Sequence, residues 1–203
     1  MSLLQVELNE IRDWAHPMIR GGYATREEVV MSVLEAFDWS RFNSLDKTSA
    51  TKFTNCLFDE KVMEEASWPT LTDVDRLYAA FSALAADGFV SVHNPSDSPS
   101  DAEEEVKLAF QKAQRSSSDK WAAVYYHDQN VDDAMETGRM NVTFLVFREY
   151  FKFHSPDAAF EAAGMYIVKA LNDNGLKTHW NGDPKSLIEV FMDWKKRSPK
   201  HAR

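Results

Sequence analysis

The first third of the chain has the hydrophobic spacing of amphipathic helices. The apolar residues of positions 3–11 give an imperfect amphipathic pattern, and this helix is expected to stop before Pro17, because the residue preceding a proline is pushed out of the α region. A second helix should begin after Thr25, which matches a capping box with Glu28. A third helix is predicted over residues 46–66. The chain therefore opens with a helical segment.

From residue 70 the pattern changes to helices that alternate with short runs rich in Val and aromatic residues. Strands are predicted at residues 89–93, 121–126, 141–147, 176–180 and 187–192. Helices are predicted from residue 70 or 72 to 87, over 102–114, over 131–136 and from 156 to 174. A turn sequence, residues 181–184, separates the last two strands and predicts a terminal hairpin.

These elements predict an α+β fold in which helices cover a mixed sheet of four to five strands. The N-terminal helical segment is expected to pack alongside the sheet, because its apolar stripes would otherwise be buried against very little. No long Pro- or Gly-rich linker divides the chain, which favours one compact domain over residues 1–198. Residues 1–69 would form its helical part and 70–198 its alternating part, and 199–203 would be a flexible basic tail.

The composition fits a cytoplasmic protein. Among 203 residues, 44% are hydrophobic, which is enough for a sizeable core, and the single Cys56 cannot form an internal disulfide. The first thirteen residues carry Glu7, Glu10 and Asp13 where a signal peptide would carry basic residues. No apolar run approaches the roughly 18 residues that cross a bilayer, so no membrane partner is expected.

The net charge of −9 is unevenly placed along the chain. Residues 1–106 hold 20 acidic and 8 basic residues, whereas the last nine residues carry five basic residues and no acidic one. A protein that binds a nucleic acid needs a basic face that displaces counterions, so nucleic acid is disfavoured as a partner. The acidic first half suits a basic protein partner.

Several short motifs between residues 22 and 197 match those of a known family. They are Gly22-Tyr23, Trp68-Pro69, Asp75-Arg76-Leu77, Ala79-Ala80-Phe81, Gly88-Phe89-Val90, Tyr125-Tyr126-His127 with Gln129, Ala134, Gly175-Leu176, Trp180-Asn181-Gly182 and Asp193-Trp194-Lys195-Lys196-Arg197. Together they resemble a bacterial family known as a domain of unknown function. The resemblance implies a cytoplasmic bacterial protein and no particular activity.

The chain departs from that family in one segment. Many members carry closely spaced cysteines after the first strand, where this chain has residues 94–101 without a cysteine. Any metal or thiol chemistry of those cysteines is therefore missing here. The resemblance then implies that a site common to all members lies elsewhere, around residues 127–130.

The polar run His127, Asp128, Gln129 and Asn130 directly follows a predicted strand, where ligand sites often form. His127 could carry a proton or contact a ligand, with Asp128 or Gln129 orienting it. The alternative is that Asp128 or Asn130 caps the following helix and His127 bonds to nearby backbone.

Three histidines, His93, His127 and His179, are predicted at or near strand ends, and three imidazoles with one open position would suit zinc. Their spacing is long and His179 adjoins Trp180, whose side chain points to the opposite face, so neither a metal nor another cofactor is predicted. Trp180 and Trp194 serve either the core or an interface.

Two functions remain open. The favoured one is a non-catalytic protein-binding module, of an adaptor or immunity type, that uses an acidic surface. The alternative is a small enzyme or small-ligand binder whose site gathers His127, Gln129, His93 and His179 at the sheet edge. A pocket holding those side chains would favour the second function, and an acidic face with exposed aromatic residues would favour the first. The oligomeric state is left open.

Overall fold

The computed structural model describes residues 2–96, 98–116, 119–147, 155–183 and 186–199. Within these ranges the helices are α1 (Leu3–Gly21), α2 (Arg26–Ala36), α3 (Lys47–Glu65), α4 (Asp73–Leu84), α5 (Pro99–Ser116), α6 (Asp128–Thr137) and α7 (Pro156–Asp173). The strands are β1 (Phe89–His93), β2 (Ala122–Tyr126), β3 (Arg139–Val146), β4 (Lys177–His179) and β5 (Ile188–Phe191). These strands form one mixed sheet, which confirms the α+β prediction.

The chain divides into two compact units. The first comprises residues 1–70 together with 195–203, and the second comprises residues 71–194. The single domain expected from the sequence stays a prediction. Of the predicted flexible tail, only Pro199 belongs to the described residues.

The first unit is built from α1, α2 and α3 around a shared apolar core. Its buried members are Ile11, Ala15, Ile19, Val29, Val33, Leu45, Ala50, Leu57 and Phe58. The predicted capping box is present, because the Thr25 backbone N–H donates to Glu28 Oε2 at 2.7 Å and the Glu28 N–H donates to Thr25 Oγ1 at 3.3 Å. This reciprocal pair fixes where α2 begins.

The first helix is longer than its sequence predicts. It continues through Pro17 to Gly21, so the expected stop before Pro17 is wrong. Ala15 and Ile19 flank the proline and are buried in the core of the first unit. Burying such side chains offsets the roughly 3 kcal/mol that an interior proline costs a helix.

A basic segment, residues 195–198, completes the first unit. Ser198 donates its backbone N–H and its hydroxyl to Glu65 Oε1, at 2.8 and 2.7 Å. Lys196 places its ammonium 4.7 Å from the centre of the Tyr23 ring. Gly22 has a φ of +75°, and a Cβ there would lie 2.7 Å from Lys196 O. Glycine therefore permits the close approach of this segment to the end of α1.

The return of this segment changes the charge of the helical part. With residues 195–203 included, the first unit holds 12 acidic and 12 basic residues, whereas residues 71–194 hold 20 acidic and 11 basic ones. The expectation of an acidic helical part therefore holds for residues 1–70 but not for the unit they belong to. Because the acidic and basic residues of this unit balance, only a local cluster of carboxylates could attract a basic partner to it.

The second unit contains the sheet, whose strand order is β1-β2-β3-β5-β4. Only β1 and β2 are parallel, with His93 paired to Tyr126, and the other neighbours are antiparallel. The predicted terminal hairpin is confirmed by β4 and β5, although residues 184 and 185 of its turn lie outside the described residues. Helix α5 covers one face of β1 and β2, where Ala102 and Val106 are buried against Ala123. Helix α4 lies over the other face.

The turn between α4 and β1 depends on Gly88. This residue has a φ of +87°, as expected for a left-handed helix end, and its carbonyl accepts from the Trp121 N–H at 3.0 Å. The Trp121 indole N–H donates to Asp87 O at 2.7 Å. The ring of Trp121 therefore lies directly against this glycine.

Two helices of the second unit begin three residues earlier than predicted. Helix α5 begins at Pro99 instead of Ala102, because the Ser98 hydroxyl accepts from the Asp101 N–H at 3.2 Å and Pro is favoured in the first turn. Helix α6 begins at Asp128 instead of Val131. The residues just before 102 and 131 are of types common in loops, so the sequence pattern assigns them to loops although they form the first turns of α5 and α6.

Candidate functional site

The adjacent ends of β1 and β2 bring together several predicted site residues. His93 and Tyr126 are paired at these ends, and the residues that follow them are Asn94 and His127. Because the two strands are parallel, all four residues lie at one edge of the sheet. This is the position at which open α/β sheets commonly bind ligands.

His93 lies on the face of the sheet covered by α4. Its Nδ1 is 3.0 Å from the hydroxyl oxygen of the buried Tyr126. Its ring stacks against Phe81, with centroids 5.0 Å apart, and lies 4.1 Å from the Tyr78 centroid. His93 is thus held within an aromatic cluster in which its ring nitrogen already has a partner.

His127 follows β2, and strand alternation carries its side chain toward the face covered by α5. The residue is 7% exposed, and its backbone N–H donates to Asn130 Oδ1 at 3.0 Å. His127 is therefore the residue that precedes α6, and Asn130 caps this helix start as the alternative expected, although the helix begins at Asp128 instead of Val131. The Nδ1 atom of His127 is buried and finds no hydrogen-bond partner among the described residues.

Asn94 was missed as a site residue by sequence reasoning. It has a φ of +50°, in the left-handed region, and its backbone N–H donates to Tyr126 O at 3.0 Å. Its side-chain amide donates to Asp128 Oδ1. Its own Oδ1 is buried and, within the part of the chain that the structure describes, has no donor. The available signal was an asparagine directly after a strand, since asparagine tolerates this backbone region.

The other residues of the predicted polar run are less enclosed. Asp128 is half-buried, and its backbone N–H points to Ser96 O at 3.4 Å. Gln129 is exposed. Of the predicted run, Asp128 is therefore the residue that bonds to Asn94, and His127 follows the strand end paired with that of His93.

His179 does not join the other two histidines. It lies on β4 at the opposite edge of the sheet from β1, and it is exposed. Long-range strand order, which local sequence does not encode, separates His179 from His93. Among the described residues, no group of three or more His, Cys, Asp or Glu side chains could hold a metal ion.

Trp180 and Trp194 pack within the second unit. The Trp180 ring lies directly over Gly164 of α7, and its indole N–H donates to Asp183 O at 3.2 Å. Trp194 is buried, and its ring meets that of Tyr126 edge to face with centroids 6.0 Å apart. These contacts support the core role that was weighed for both residues.

Burial of His127 predicts a pH dependence of stability. Burial lowers the pKa of His127, against a smaller opposing effect of Asp133, so folding favours the neutral ring. The unfolded chain then binds the proton more readily, and the free energy of unfolding of the second unit should fall as pH drops below about 6.5. Urea unfolding between pH 5 and 7, followed at the amides of β1, measures this slope.

The matched variants are His127→Phe and His179→Phe. The first should flatten the slope between these pH values, and the second makes the same substitution at an exposed position of β4 as its control. His16 titrates with the same sign in the first unit, and following β1 amides keeps its effect apart. An equal slope in all three proteins would contradict the assignment.

A second candidate lies in the first unit, between α1, α2 and the turn that follows α2. We name it the α1–α2 surface. One groove of about 170 Å³ is lined by Val6, Glu7, Glu10, Ala36, Phe37, Asp38, Arg41 and Phe42. A more open groove of about 440 Å³ is lined by Trp14, Glu28, Met31, Ser32, Glu35 and Ala36. The two grooves share Ala36 and therefore form one continuous surface.

Aromatic side chains form the centre of the α1–α2 surface. Trp14 is 49% exposed, yet its indole N–H donates to Ser32 Oγ at 2.9 Å. Its ring meets Phe37 edge to face with centroids 6.0 Å apart, and Phe37 meets Phe42 in the same way at 5.5 Å. The exposed ring is thus held in place by the unit itself.

Carboxylates outnumber cations along both grooves. The lining carboxylates are Glu7, Glu10, Glu28, Glu35 and Asp38, and the lining cation is Arg41. Hydrogen bonds from Thr25 lower the pKa of Glu28, and hydrogen bonds from Ser40 lower the pKa of Asp38. Both groups therefore stay ionised near neutral pH.

Glu7 has a different part in this surface. It is buried, and its two carboxylate oxygens accept from the backbone N–H groups of Asn43 and Ser44, at 2.8 and 3.0 Å. Glu7 therefore holds the segment that precedes α3. Glu10 and Glu35 are exposed on the helices that border the grooves, which leaves them open to a partner.

Comparisons with known proteins bear on family and not on activity. No curated protein and no solved structure matches the chain. Among the described residues, no helix has the length and apolar character needed to cross a membrane. The family described as Domain of unknown function (DUF6891) matches residues 5–198. The chain therefore belongs to the DUF6891 family, which confirms the expectation of a family of unknown function.

Proposed function

We propose that this protein is a non-catalytic binding module whose α1–α2 surface binds a basic segment of another protein. The observation that carries the proposal is Trp14, a half-exposed ring that lines the more open groove and packs edge to face on Phe37 of the other groove. Exposed tryptophans held rigidly by their own fold commonly anchor protein interfaces.

The chemistry of the surface indicates what the partner carries. Besides Trp14, the apolar side chains of Val6 and Met31 are exposed along the two grooves, which suits apolar side chains on one face of a helix. Glu10 and Glu35 border these apolar groups. They would attract lysine or arginine on the flanks of that helix and repel acidic partners.

A designed peptide tests this proposal without an unknown partner. The probe is a helical peptide of about 14 residues, or four turns, with Leu at intervals of three and four and Lys elsewhere. Its control carries Glu in place of Lys. Binding to the full-length protein and its variants is measured by isothermal titration calorimetry, and the shift of the Trp14 indole N–H signal in NMR titrations locates the peptide on the wild-type protein. The Lys peptide should shift this signal, and the Glu peptide should not.

Variants separate the proposed surface from general charge. Trp14→Ala should weaken binding of the Lys peptide by at least about tenfold, because interface tryptophans carry a large share of the binding energy. Glu35→Lys should weaken binding by about fivefold. The matched control is Glu60→Lys, which makes the same charge change at an exposed position of α3. Equal losses in Glu35→Lys and Glu60→Lys, or unchanged binding in Trp14→Ala, would overturn the proposal.

A further inference from the structure

We infer that the ends of β1 and β2 form a separate small-ligand site, in which Asn94 and His127 bind the donor and acceptor atoms of a neutral amide group. This inference concerns the second unit and is independent of the proposed protein-binding surface. It begins from two polar atoms, Asn94 Oδ1 and His127 Nδ1, that are buried and lack a partner within the described part of the chain. Buried polar atoms are nearly always hydrogen-bonded, so an unsatisfied pair requires an explanation.

The two atoms belong to neighbouring positions. Asn94 and His127 each follow one member of the pair His93 and Tyr126, and the Asn94 side chain donates to Asp128, the residue next to His127. Adjacent strands are about 4.8 Å apart, which places the two side chains within reach of a single small group. An amide group carries an N–H donor and a carbonyl acceptor side by side, so it can bond to Asn94 Oδ1 and His127 Nδ1 at the same time.

The orientation of Asn94 assigns the donor to the ligand. Its side-chain nitrogen donates to Asp128 Oδ1, and a flipped amide would place its oxygen against that carboxylate instead. Asn94 Oδ1 is therefore a fixed acceptor that needs an N–H or O–H group. A neutral imidazole can supply the complementary donor through a protonated Nδ1. Burial lowers the pKa of His127 and so favours that neutral ring.

The charges at this place disfavour an anion. The start of a helix often binds phosphate or carboxylate, but Asp128 occupies the first residue of α6 and already offsets the helix dipole there. A second negative group would meet that carboxylate next to a histidine ring whose burial lowers its pKa and so disfavours a compensating positive charge. The site therefore differs from a phosphate-binding helix start, and a neutral ligand suits it.

The backbone conformation at Asn94 allows a test of this case. Asn94 has a φ of +50°, in the left-handed region that asparagine tolerates better than most residues other than glycine. Here the side-chain nitrogen donates to Asp128, and the side-chain oxygen has no donor among the described residues. The substitution Asn94→Gly would remove the side-chain amide without straining the backbone, because glycine adopts this φ readily.

Three probes of nearly equal shape test the assignment. Acetamide is neutral and carries a donor and an acceptor, acetate carries acceptors and a negative charge, and acetamidinium carries donors and a positive charge. Each is titrated to about 100 mM, because fragments of so few atoms bind weakly. NMR of the full-length protein follows the ring nitrogens of His127 and the side-chain amide of Asn94. Acetamide should shift both sets of signals, with acetate and acetamidinium at least about tenfold weaker.

Variants of the site complete the test. Asn94→Gly and His127→Phe should each weaken acetamide binding by at least about tenfold, and the matched control His179→Phe should leave it unchanged. Asn94→Gly keeps the proposal testable if His127→Phe fails to fold. Unshifted His127 and Asn94 signals with all three probes would mean that a water molecule alone satisfies the two atoms, which overturns the inference. Preference for acetate or acetamidinium, or full binding by Asn94→Gly, overturns it as well.

Discussion

Replacing Gly88 with alanine is expected to lower the free energy of unfolding of the second unit by about 3 kcal/mol, one of the largest effects that a single methyl group can have. Gly88 has a φ of +87°, which strains any residue with a Cβ. The new Cβ would also lie 2.7 Å from Asp119 O and 2.6 Å from Trp121 Cδ1. Neither neighbour is the free end of a flexible side chain, so the turn between α4 and β1 must open.

Gly182→Ala provides the matched control for this prediction. Gly182 has a φ of +83°, but a Cβ there would meet nothing within 4 Å. Its replacement should therefore cost only the backbone strain, about 1 kcal/mol. Chemical denaturation followed by tryptophan fluorescence and by β1 amide signals compares the two variants. Equal losses would show that the close approach of Trp121 to Gly88 contributes nothing.

Replacing Gly164 with alanine is expected to destabilise the second unit by about 2 kcal/mol, although the same change in an exposed helix interior stabilises by about 1 kcal/mol. A Cβ at Gly164 would overlap the six-membered ring of Trp180. This ring also meets Phe144 edge to face with centroids 6.4 Å apart, so it has limited room to move. Steric overlap should therefore outweigh the gain in helix propensity.

A double-mutant cycle isolates the contact between these two residues. Trp180→Leu alone should destabilise by about 2 kcal/mol, because it leaves a cavity over α7. The double variant Gly164→Ala with Trp180→Leu should be more stable than the two single losses predict, because the smaller side chain accommodates the new methyl group. Urea unfolding of the four proteins measures the coupling. Strict additivity would contradict direct packing of Trp180 on Gly164.

Local signals predicted the elements whose ends depend on neighbouring residues. Thr25 with Glu28 and Thr72 ahead of α4 mark helix starts through side chains that contact the backbone three residues away. Gly88 marks a helix end through its own φ. All of these interactions lie within a few residues, so the sequence alone specifies them.

Tertiary packing explains where the sequence prediction fails. Pro17 stays within α1 because residues on either side of it are buried against other helices, and the sequence around the proline does not reveal that burial. The order of the strands in the sheet likewise cannot be predicted from the local sequence pattern. It places β5 between β3 and β4, and so carries His179 to the far edge from His93.

The candidate site was predicted in part. The sequence indicated His127 and Asp128 because polar residues follow a strand, and the structure places both beside Asn94. Asn94 was interpreted as loop, since its part depends on a parallel pairing between strands 33 residues apart along the chain. The aromatic centre of the α1–α2 surface was missed because Trp14 and Phe37 meet only when α1 and α2 pack.

The return of residues 195–198 to the first unit fixes an order of events during synthesis on the ribosome. The contacts of Ser198 with Glu65 and of Lys196 with Tyr23 form only after residues 71–194 have been translated. The sheet can therefore assemble while the helical unit still lacks its last segment, because domains generally fold as they emerge. Until translation reaches residue 198, the helical unit must hold together without the contacts that Ser198 and Lys196 make with Glu65 and Tyr23.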